Sequence, residues 1–205
     1  MFVRHAEGQH TTLPDGLRLP DPDLTEVGRG QAAGLAEALP LTAEDVVVAS
    51  PTRRTLHTAA LWVQGTGCAR FVHPLLGPRL VPLVAGRTGL PCDRHLDLGT
   101  PAREFGAFAR AAGLAAALWA EGISALPGAT LGPLAEAFLV WCRRLGPPRV
   151  HLASHDGTTS PGARSRGTGF RAMPAWRSNG AGARPTAGRA WPHGSPRLPG
   201  RVAMG

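Results

Sequence analysis

Short apolar runs alternate with longer segments of helical spacing through most of this chain, and this alternation restricts the possible folds most. The apolar runs are residues 1–3, 45–50 and 149–154, and the helix-like segments are residues 24–39, 51–64, 101–122 and 131–146. A run such as DVVVAS, without polar alternation, is typical of a strand buried on both faces. Strands that alternate with helices predict an α/β fold around a mostly parallel sheet.

Individual residues mark the ends of these segments. Thr25 is the predicted N-cap of the first helix. Pro51 is predicted at the first helical position of the next helix, where its missing N–H removes no hydrogen bond. Residues 71–84 contain two more strand-like runs, which the turn pair Gly77-Pro78 separates.

The net charge of +8 is concentrated at one end of the chain. Residues 1–156 contain 14 arginines and all 14 acidic residues, whereas residues 157–205 contain 8 arginines, 10 glycines, 6 prolines and no acid. Such a composition predicts a folded domain over 1–156 and a disordered basic tail over 157–205. Because no folded face presents these arginines, a solvated tail is favoured over one that binds nucleic acid.

The rest of the composition predicts a cytoplasmic protein without a membrane span. The longest run without Asp, Glu or Arg is 15 residues, too short to cross a bilayer, and no basic-then-apolar leader is apparent. Three widely spaced cysteines without a CxxC pair argue against a zinc site and favour buried thiols in a reducing compartment. Oligomeric state has no readable signature.

Basic residues follow three of the predicted strands. Arg4 and His5 follow the first strand, Arg54 follows the DVVVAS run, and His155 follows the last run. Because ligands bind outside the carboxyl ends of parallel strands, we expect these side chains to meet. Guanidinium groups bind phosphate oxygens in pairs, and a neutral imidazole can attack phosphorus. The set therefore predicts a site for phosphoryl transfer that needs no metal.

Four segments in this order resemble the histidine phosphatase superfamily, in particular its phosphoglycerate-mutase-like branch. They are VRHAEGQH, DPDLTEVGRGQAAGL, ASPTRRTLHTA and HLASHDG, and the resemblance extends over about residues 1–156. It implies a three-layer α/β/α fold, a small phosphorylated substrate and no cofactor. It also implies that His5 is the nucleophile, that Arg4 and Arg54 hold the phosphate, and that His155 is the second pocket histidine.

The sequence departs from this family at the position of the proton donor. The glutamate expected shortly before LPCD falls at about Gly86, so another group must protonate the leaving oxygen. Asp156, directly after His155, is the first candidate, and Asp93 is the second. His10 is a candidate contact on the substrate side. The helix and strand that the family carries after the second histidine are not recognisable in residues 157–205.

Three functions follow from these residues. The favoured one is hydrolysis of a phosphomonoester through a phosphohistidine on His5, and the closest alternative is a phosphomutase. Since Gly86 replaces the expected acid, a degenerate protein that binds phosphate without turnover is the third. Motif spacing favours Arg54 over the adjacent Arg53, and the mid-helix His57 is interpreted as structural.

Overall fold

The computed structural model describes residues 1–80, 89–97, 99–105 and 108–159. Its centre is a five-stranded sheet in the order β1-β5-β2-β3-β4, with parallel pairing between all neighbours. The strands are β1 (Phe2–Arg4), β2 (Val46–Ala49), β3 (Ala69–Val72), β4 (Ala109–Arg110) and β5 (Val150–Ser154). The predicted α/β fold with a parallel sheet is confirmed.

Helices cover both faces of this sheet. They are α1 (Gln9–Thr12), α2 (Glu26–Ala38), α3 (Arg53–Trp62), α4 (Thr100–Glu104), α5 (Ala116–Glu121), α6 (Gly128–Arg144) and α7 (Asp156–Thr159). Successive β2 side chains point to opposite faces: Val47 packs in a core with Leu56 of α3, whereas Val48 packs in a second core with Phe138 of α6. The architecture is therefore three-layered, α/β/α.

The predicted start of α2 is confirmed, but that of α3 is wrong. Thr25 caps α2, because its Oγ1 accepts a hydrogen bond from the Gly28 amide at 3.0 Å. Pro51 does not occupy the first helical position of α3, since extended Thr52 (φ −111°, ψ 145°) is the N-cap and Arg53 the first helical residue. The Pro51 carbonyl instead accepts a hydrogen bond from the Leu96 amide at 2.8 Å.

The single helix predicted over residues 101–122 is also wrong. This segment forms α4, β4 and α5 in turn, and β4 extends the sheet by pairing with β3. As the edge strand, β4 gains backbone hydrogen bonds by pairing with β3. Phe108, just before β4, is 5% exposed, and Gly113 turns the chain with a φ of +78°. The helical spacing of the sequence did not show that pairing with β3 would outweigh the local preference for a helix.

Other predictions fall on residues with a different or undescribed structure. The first strand-like run in 71–84 ends at Val72 and continues as a 3₁₀ helix, Pro74–Leu76, while residues 81–84 of the second run lie outside the described residues. Gly86 and residues 160–205 also lie outside them, so the domain boundary after residue 156 stays a prediction. Within the described part of the chain, no helix has the length and apolarity needed to span a membrane.

Candidate active site

The sheet order places the three predicted basic segments at one edge. β5 lies between β1 and β2, so the carboxyl ends of these strands are neighbours. The His5 ring lies 5.0 Å from the His155 ring, centroid to centroid, and Arg54 contacts both imidazoles. Arg4 and Asp156 form an ion pair of 3.2 Å with about half of each side chain exposed. The structure thus brings His5, His155 and Arg54 together and places Arg4 with Asp156 in a more exposed pair.

The hydrogen bonds of His5 determine which ring nitrogen carries its proton. Nδ1 lies 2.7 Å from the carbonyl oxygen of Ala6, which can only accept, so Nδ1–H is the donor. Nε2 therefore keeps its lone pair, and Arg54 Nε–H donates towards it over 3.4 Å. With the residue 6% exposed, His5 is a fixed imidazole whose Nε2 lone pair faces a guanidinium group.

Arg54 is held by contacts on several sides. Its Nη1 donates to the carbonyl of Cys92 at 2.6 Å, and its Nη2 donates to His155 Nδ1 at 3.3 Å and to Asp93 Oδ1 at 3.4 Å. The residue is 2% exposed, and Asp93 is its carboxylate partner among the described residues. Because the guanidinium is positioned before any ligand arrives, it needs little reorganisation to bind an oxyanion.

The proton of His155 lies on the opposite nitrogen from that of His5. Since Arg54 can only donate, His155 Nδ1 accepts and the proton resides on Nε2. Nε2 lies 3.0 Å from the Ser50 hydroxyl, 3.3 Å from that of Thr55 and 3.4 Å from that of Thr52. These hydroxyl groups come from the first turn of α3 and the residues before it. The segment that follows β2 therefore orients His155, which follows β5.

Burial and the arginine charge keep the histidines neutral. Burial lowers the pKa values of His5 and His155 well below the usual range, and the Arg54 charge lowers both further. Burial followed by the charges of Arg54 and Arg4 lowers the pKa of His10 to about 3. An uncharged imidazole is the form that has a lone pair for attack on phosphorus.

The two candidate proton donors differ in their surroundings. Asp156 is half-exposed and paired with Arg4. Asp93 has a side chain 13% exposed, and burial raises its pKa although the Arg54 charge opposes this shift. Asp93 is thus the more buried of the two carboxyl groups and lies against the Arg54 guanidinium, 3.4 Å from its Nη2.

The remaining basic candidates divide between the site and other parts of the fold. The His10 ring lies 5.2 Å from that of His5, and its buried Nδ1 has no hydrogen-bond partner among the residues that the structure describes. Arg53 instead pairs with Asp21 at 2.6 Å and with Glu104. His57 Nδ1 lies 2.8 Å from Asp23 Oδ1.

Sequence reasoning missed the hydroxyl and carbonyl groups that support the arginine and the second histidine. Ser50, Thr52 and Thr55 contact His155, and the Cys92 carbonyl accepts from Arg54. The three hydroxyl residues had a usable signal, since they flank the start of a helix after a buried strand. Cys92 had none, because a backbone carbonyl has no residue signature. Within the described ranges, no group of three or more His, Cys, Asp or Glu side chains could hold a metal ion.

Comparisons with known proteins find a family model that is similar to the N-terminal part of the chain. Residues 1–80 match the model of the histidine phosphatase superfamily (branch 1). No curated protein matches the chain.

Two solved structures illustrate the overall likeness. A putative α-ribazole-5′-P phosphatase from Escherichia coli is 21% identical, with a TM-score of 0.48 over 77% of this chain and 73% of that chain. A mycobacterial glucosyl-3-phosphoglycerate phosphatase in complex with VO3 is 25% identical, with a TM-score of 0.42 over 77% of this chain and 74% of that chain. Both likenesses are distant. The family match is the more specific finding: residues 1–80, which contain His5 and Arg54, are similar to branch 1 of the histidine phosphatase superfamily.

Proposed function

We propose that this protein hydrolyses a small phosphomonoester through a phosphohistidine on His5. The observation that carries the proposal is the state of His5, a buried neutral imidazole with an Nε2 lone pair beside the Arg54 guanidinium. An imidazole in this state is a nucleophile, and the adjacent cation attracts the phosphate that it attacks.

The two arginines form the binding site for the phosphoryl group. Arg54 presents a buried guanidinium, and Arg4 is exposed enough to turn from Asp156 towards an incoming dianion. Two guanidinium groups balance a phosphate dianion and the charge that develops on its oxygens during transfer. His155, which the Ser50 hydroxyl orients, is the second imidazole at this binding site.

The reaction proceeds in two displacements. His5 Nε2 attacks phosphorus, an N–P bond forms, the P–O ester bond breaks, and the leaving oxygen takes a proton to become an alcohol. Water then attacks phosphorus, the N–P bond breaks and inorganic phosphate leaves, while the proton lost by the water returns to the general acid. In this scheme Asp156 is the first candidate for that acid and Asp93 the second.

Leaving-group dependence identifies the acid. Loss of the true donor should lower turnover of phenyl phosphate, a poor leaving group, by about 10²-fold or more, and that of p-nitrophenyl phosphate far less. Asp156→Asn and Asp93→Asn should be compared on both substrates. The carboxyl group whose variant loses both activities equally is excluded as the donor.

A rapid-quench experiment tests the proposed intermediate. The protein is mixed with ³²P-labelled p-nitrophenyl phosphate and examined for a phosphoryl adduct that is labile in acid and stable in base. We expect the adduct in the parent and in the His57→Ala control, and not in His5→Ala. A folded parent without adduct or turnover would contradict the proposal, and phosphate binding in that case would favour the degenerate binder.

A further inference from the structure

One buried hydroxyl group connects the segment of the candidate nucleophile to the helix that carries its arginine. Thr58 lies within α3 and is 0% exposed. Its Oγ1 donates to the main-chain carbonyl of Arg54 at 2.7 Å and accepts from the Ala6 amide at 3.0 Å. The first bond is a local one that threonines often form within helices, whereas the second joins residues 52 positions apart. The contact with Ala6 is therefore not a by-product of helix formation.

Ala6 is the residue at which the chain leaves the sheet. The His5 amide still donates to the Ser154 carbonyl at 3.0 Å and continues the pairing of β1 with β5, but the Ala6 amide turns towards α3. Ala6 is 2% exposed, so its N–H needs a partner within the protein. Thr58 is that partner, and it fixes the first peptide group after the sheet.

The carbonyl of Ala6 orients the His5 ring. It accepts the Nδ1 proton of His5 at 2.7 Å, which leaves the Nε2 lone pair towards Arg54. The amide of Ala6 is thus held by α3, while its carbonyl holds the imidazole. A shift of Ala6 would move the acceptor of the Nδ1 proton and change the direction of the attacking nitrogen.

The next residue along the chain is held by a different helix. The Glu7 amide donates to Gln31 Oε1 of α2 at 2.9 Å. Thr58 instead connects Ala6 to α3, the helix of Arg54. One side chain thus contacts the main chain beside both groups that must act on the same phosphorus atom.

The guanidinium group of Arg54 has its own supports. Its Nη1 donates to the Cys92 carbonyl at 2.6 Å and its Nη2 to His155 Nδ1 at 3.3 Å, whereas Thr58 bonds the main-chain carbonyl of Arg54. Loss of the Thr58 hydroxyl should therefore disturb attack by His5 more than phosphate binding by Arg54.

We infer that Thr58 is a positioning residue, which holds the His5 imidazole in place for attack on the phosphate that Arg54 binds. This inference rests on the proposed function for the role of His5. Thr58 acts through Ala6 and does not touch the substrate. Such a role matters because a displacement of about 1 Å between reacting groups can lower a rate by about 10²-fold.

Replacement of the hydroxyl by a methyl group tests the role. Thr58→Val keeps the branched shape, and the Ala6 amide loses its acceptor. In a single turnover of ³²P-labelled p-nitrophenyl phosphate, the rate of adduct formation should fall by about 10- to 100-fold. The affinity for inorganic phosphate, measured by isothermal titration, should change by less than about threefold. A loss of stability alone would not separate rate from affinity in the folded protein.

Further variants locate the effect. Thr58→Ser retains a hydroxyl group and should restore the rate to within about fivefold of the parent. Thr66→Val is the matched control, because the Thr66 hydroxyl donates to the Val63 carbonyl at 2.8 Å in the turn after α3, and it should leave the rate unchanged. If Thr58→Val does not fold, Thr58→Ala removes the same hydroxyl group without a second methyl group to place.

The positioning role and the hydrolysis proposal fail separately. A rate within about threefold of the parent in Thr58→Val, or equal losses of rate and phosphate affinity, would overturn the positioning role even if the parent forms an adduct. Long-range ¹H–¹⁵N spectra of protein labelled with [¹⁵N]histidine show which ring nitrogen of His5 carries the proton, with or without turnover. We expect Nδ1–H in the parent and a mixture of both tautomers in Thr58→Val.

A parent without adduct would overturn the hydrolysis and leave the spectra to decide the positioning role. In that case a mixture of tautomers in Thr58→Val would support the role, and an unchanged His5 tautomer would overturn it.

Discussion

The parallel sheet has an amino edge, where its strands begin, and a carboxyl edge, where they end. Buried charge has different partners at the two edges. At the amino edge, Asp45 precedes β2 with a fully buried side chain and accepts two hydrogen bonds of 2.7 Å from Arg149, which precedes β5. At the carboxyl edge, buried Arg54 faces two neutral imidazoles and a carboxylate at 3.4 Å. The amino edge has a well-matched ion pair, whereas the carboxyl edge has positive charge that a bound anion would neutralise.

This difference separates stability from function. A buried charge with ideal partners contributes to folding only while both partners remain, since removing one leaves the other uncompensated. A buried cation with weak partners contributes less to folding but presents a strong field to an incoming anion. We therefore expect substitutions at the amino edge to alter unfolding and those at the carboxyl edge to alter phosphate chemistry.

The largest effect should come from Arg54→Gln. Loss of a positioned donor to the transferring phosphoryl group should lower kcat/KM for p-nitrophenyl phosphate by about 10²–10³-fold. Arg53→Gln is the matched control, because the neighbouring guanidinium pairs with Asp21 and Glu104, and it should change kcat/KM by less than about threefold. Similar losses in both variants would remove the distinction between these arginines.

The second effect belongs to the amino edge. Asp45→Asn should lower the free energy of unfolding by about 2 kcal/mol, because half-exposed Arg149 and Thr42 lose hydrogen bonds to a buried carboxylate, and should leave phosphate affinity unchanged. Burial raises the pKa of Asp45, but the hydrogen bonds from Arg149 and Thr42 outweigh burial and lower it overall. Its contribution is thus present above the unfolded-state pKa of about 4 and is lost at lower pH.

Urea unfolding between pH 7 and pH 3, with phosphate titrations at pH 7, measures both consequences. In Asp45→Asn, the part of the acid-induced loss of stability that Asp45 causes should disappear. A variant as stable as the parent at pH 7 would show that the amino-edge pair does not support the fold.

The third effect is the pH dependence of stability at the carboxyl edge. Because burial and Arg54 lower the pKa values of His5 and His155, the unfolded chain takes up protons first as the pH falls below about 6.5. Stability should be constant above that pH and fall below it by up to about 1.4 kcal/mol per pH unit for each histidine. Urea unfolding from pH 7.5 to pH 5 measures the slope.

Substitution of both histidines by glutamine should reduce that slope, and part of it should remain, because burial also lowers the pKa values of other histidines, namely His10, His73, His95 and His151. An undiminished slope in the double variant would mean that other groups cause it. Turnover should lack an acid limb near pH 6.5, because His5 stays neutral below its usual pKa range.

The smallest effect compares single hydroxyl groups at the two edges. Ser50→Ala removes the group 3.0 Å from His155 Nε2 and should weaken phosphate binding by about fivefold, equivalent to about 1 kcal/mol. Thr42→Ala removes a hydroxyl group 3.1 Å from Asp45 and should lower the free energy of unfolding by about 1 kcal/mol without changing phosphate affinity. The reverse assignment of the two effects would contradict the comparison of the edges.

The structure confirmed one strand that the sequence predicted and contradicted two helix predictions. The apolar run before Ser50 predicted β2 because a strand buried on both faces leaves a continuous pattern. Residues 101–122 have helical spacing, but β4 divides the segment. The pairing that stabilises β4 is with β3, which is distant in sequence, so the local spacing gives no sign of it. Pro51 suited a first helical position, but its carbonyl is engaged by Leu96.

The sequence alone determined the α/β class, the parallel sheet and the segments that carry the candidate nucleophile and its arginine. These depend on local periodicity and on the rule that parallel strands end at a common edge. Only the tertiary structure decided the tautomers of His5 and His155 and the different partners of Arg53 and Arg54. Hydrogen bonding and desolvation depend on which distant groups surround a side chain, and spacing along the chain does not contain that information.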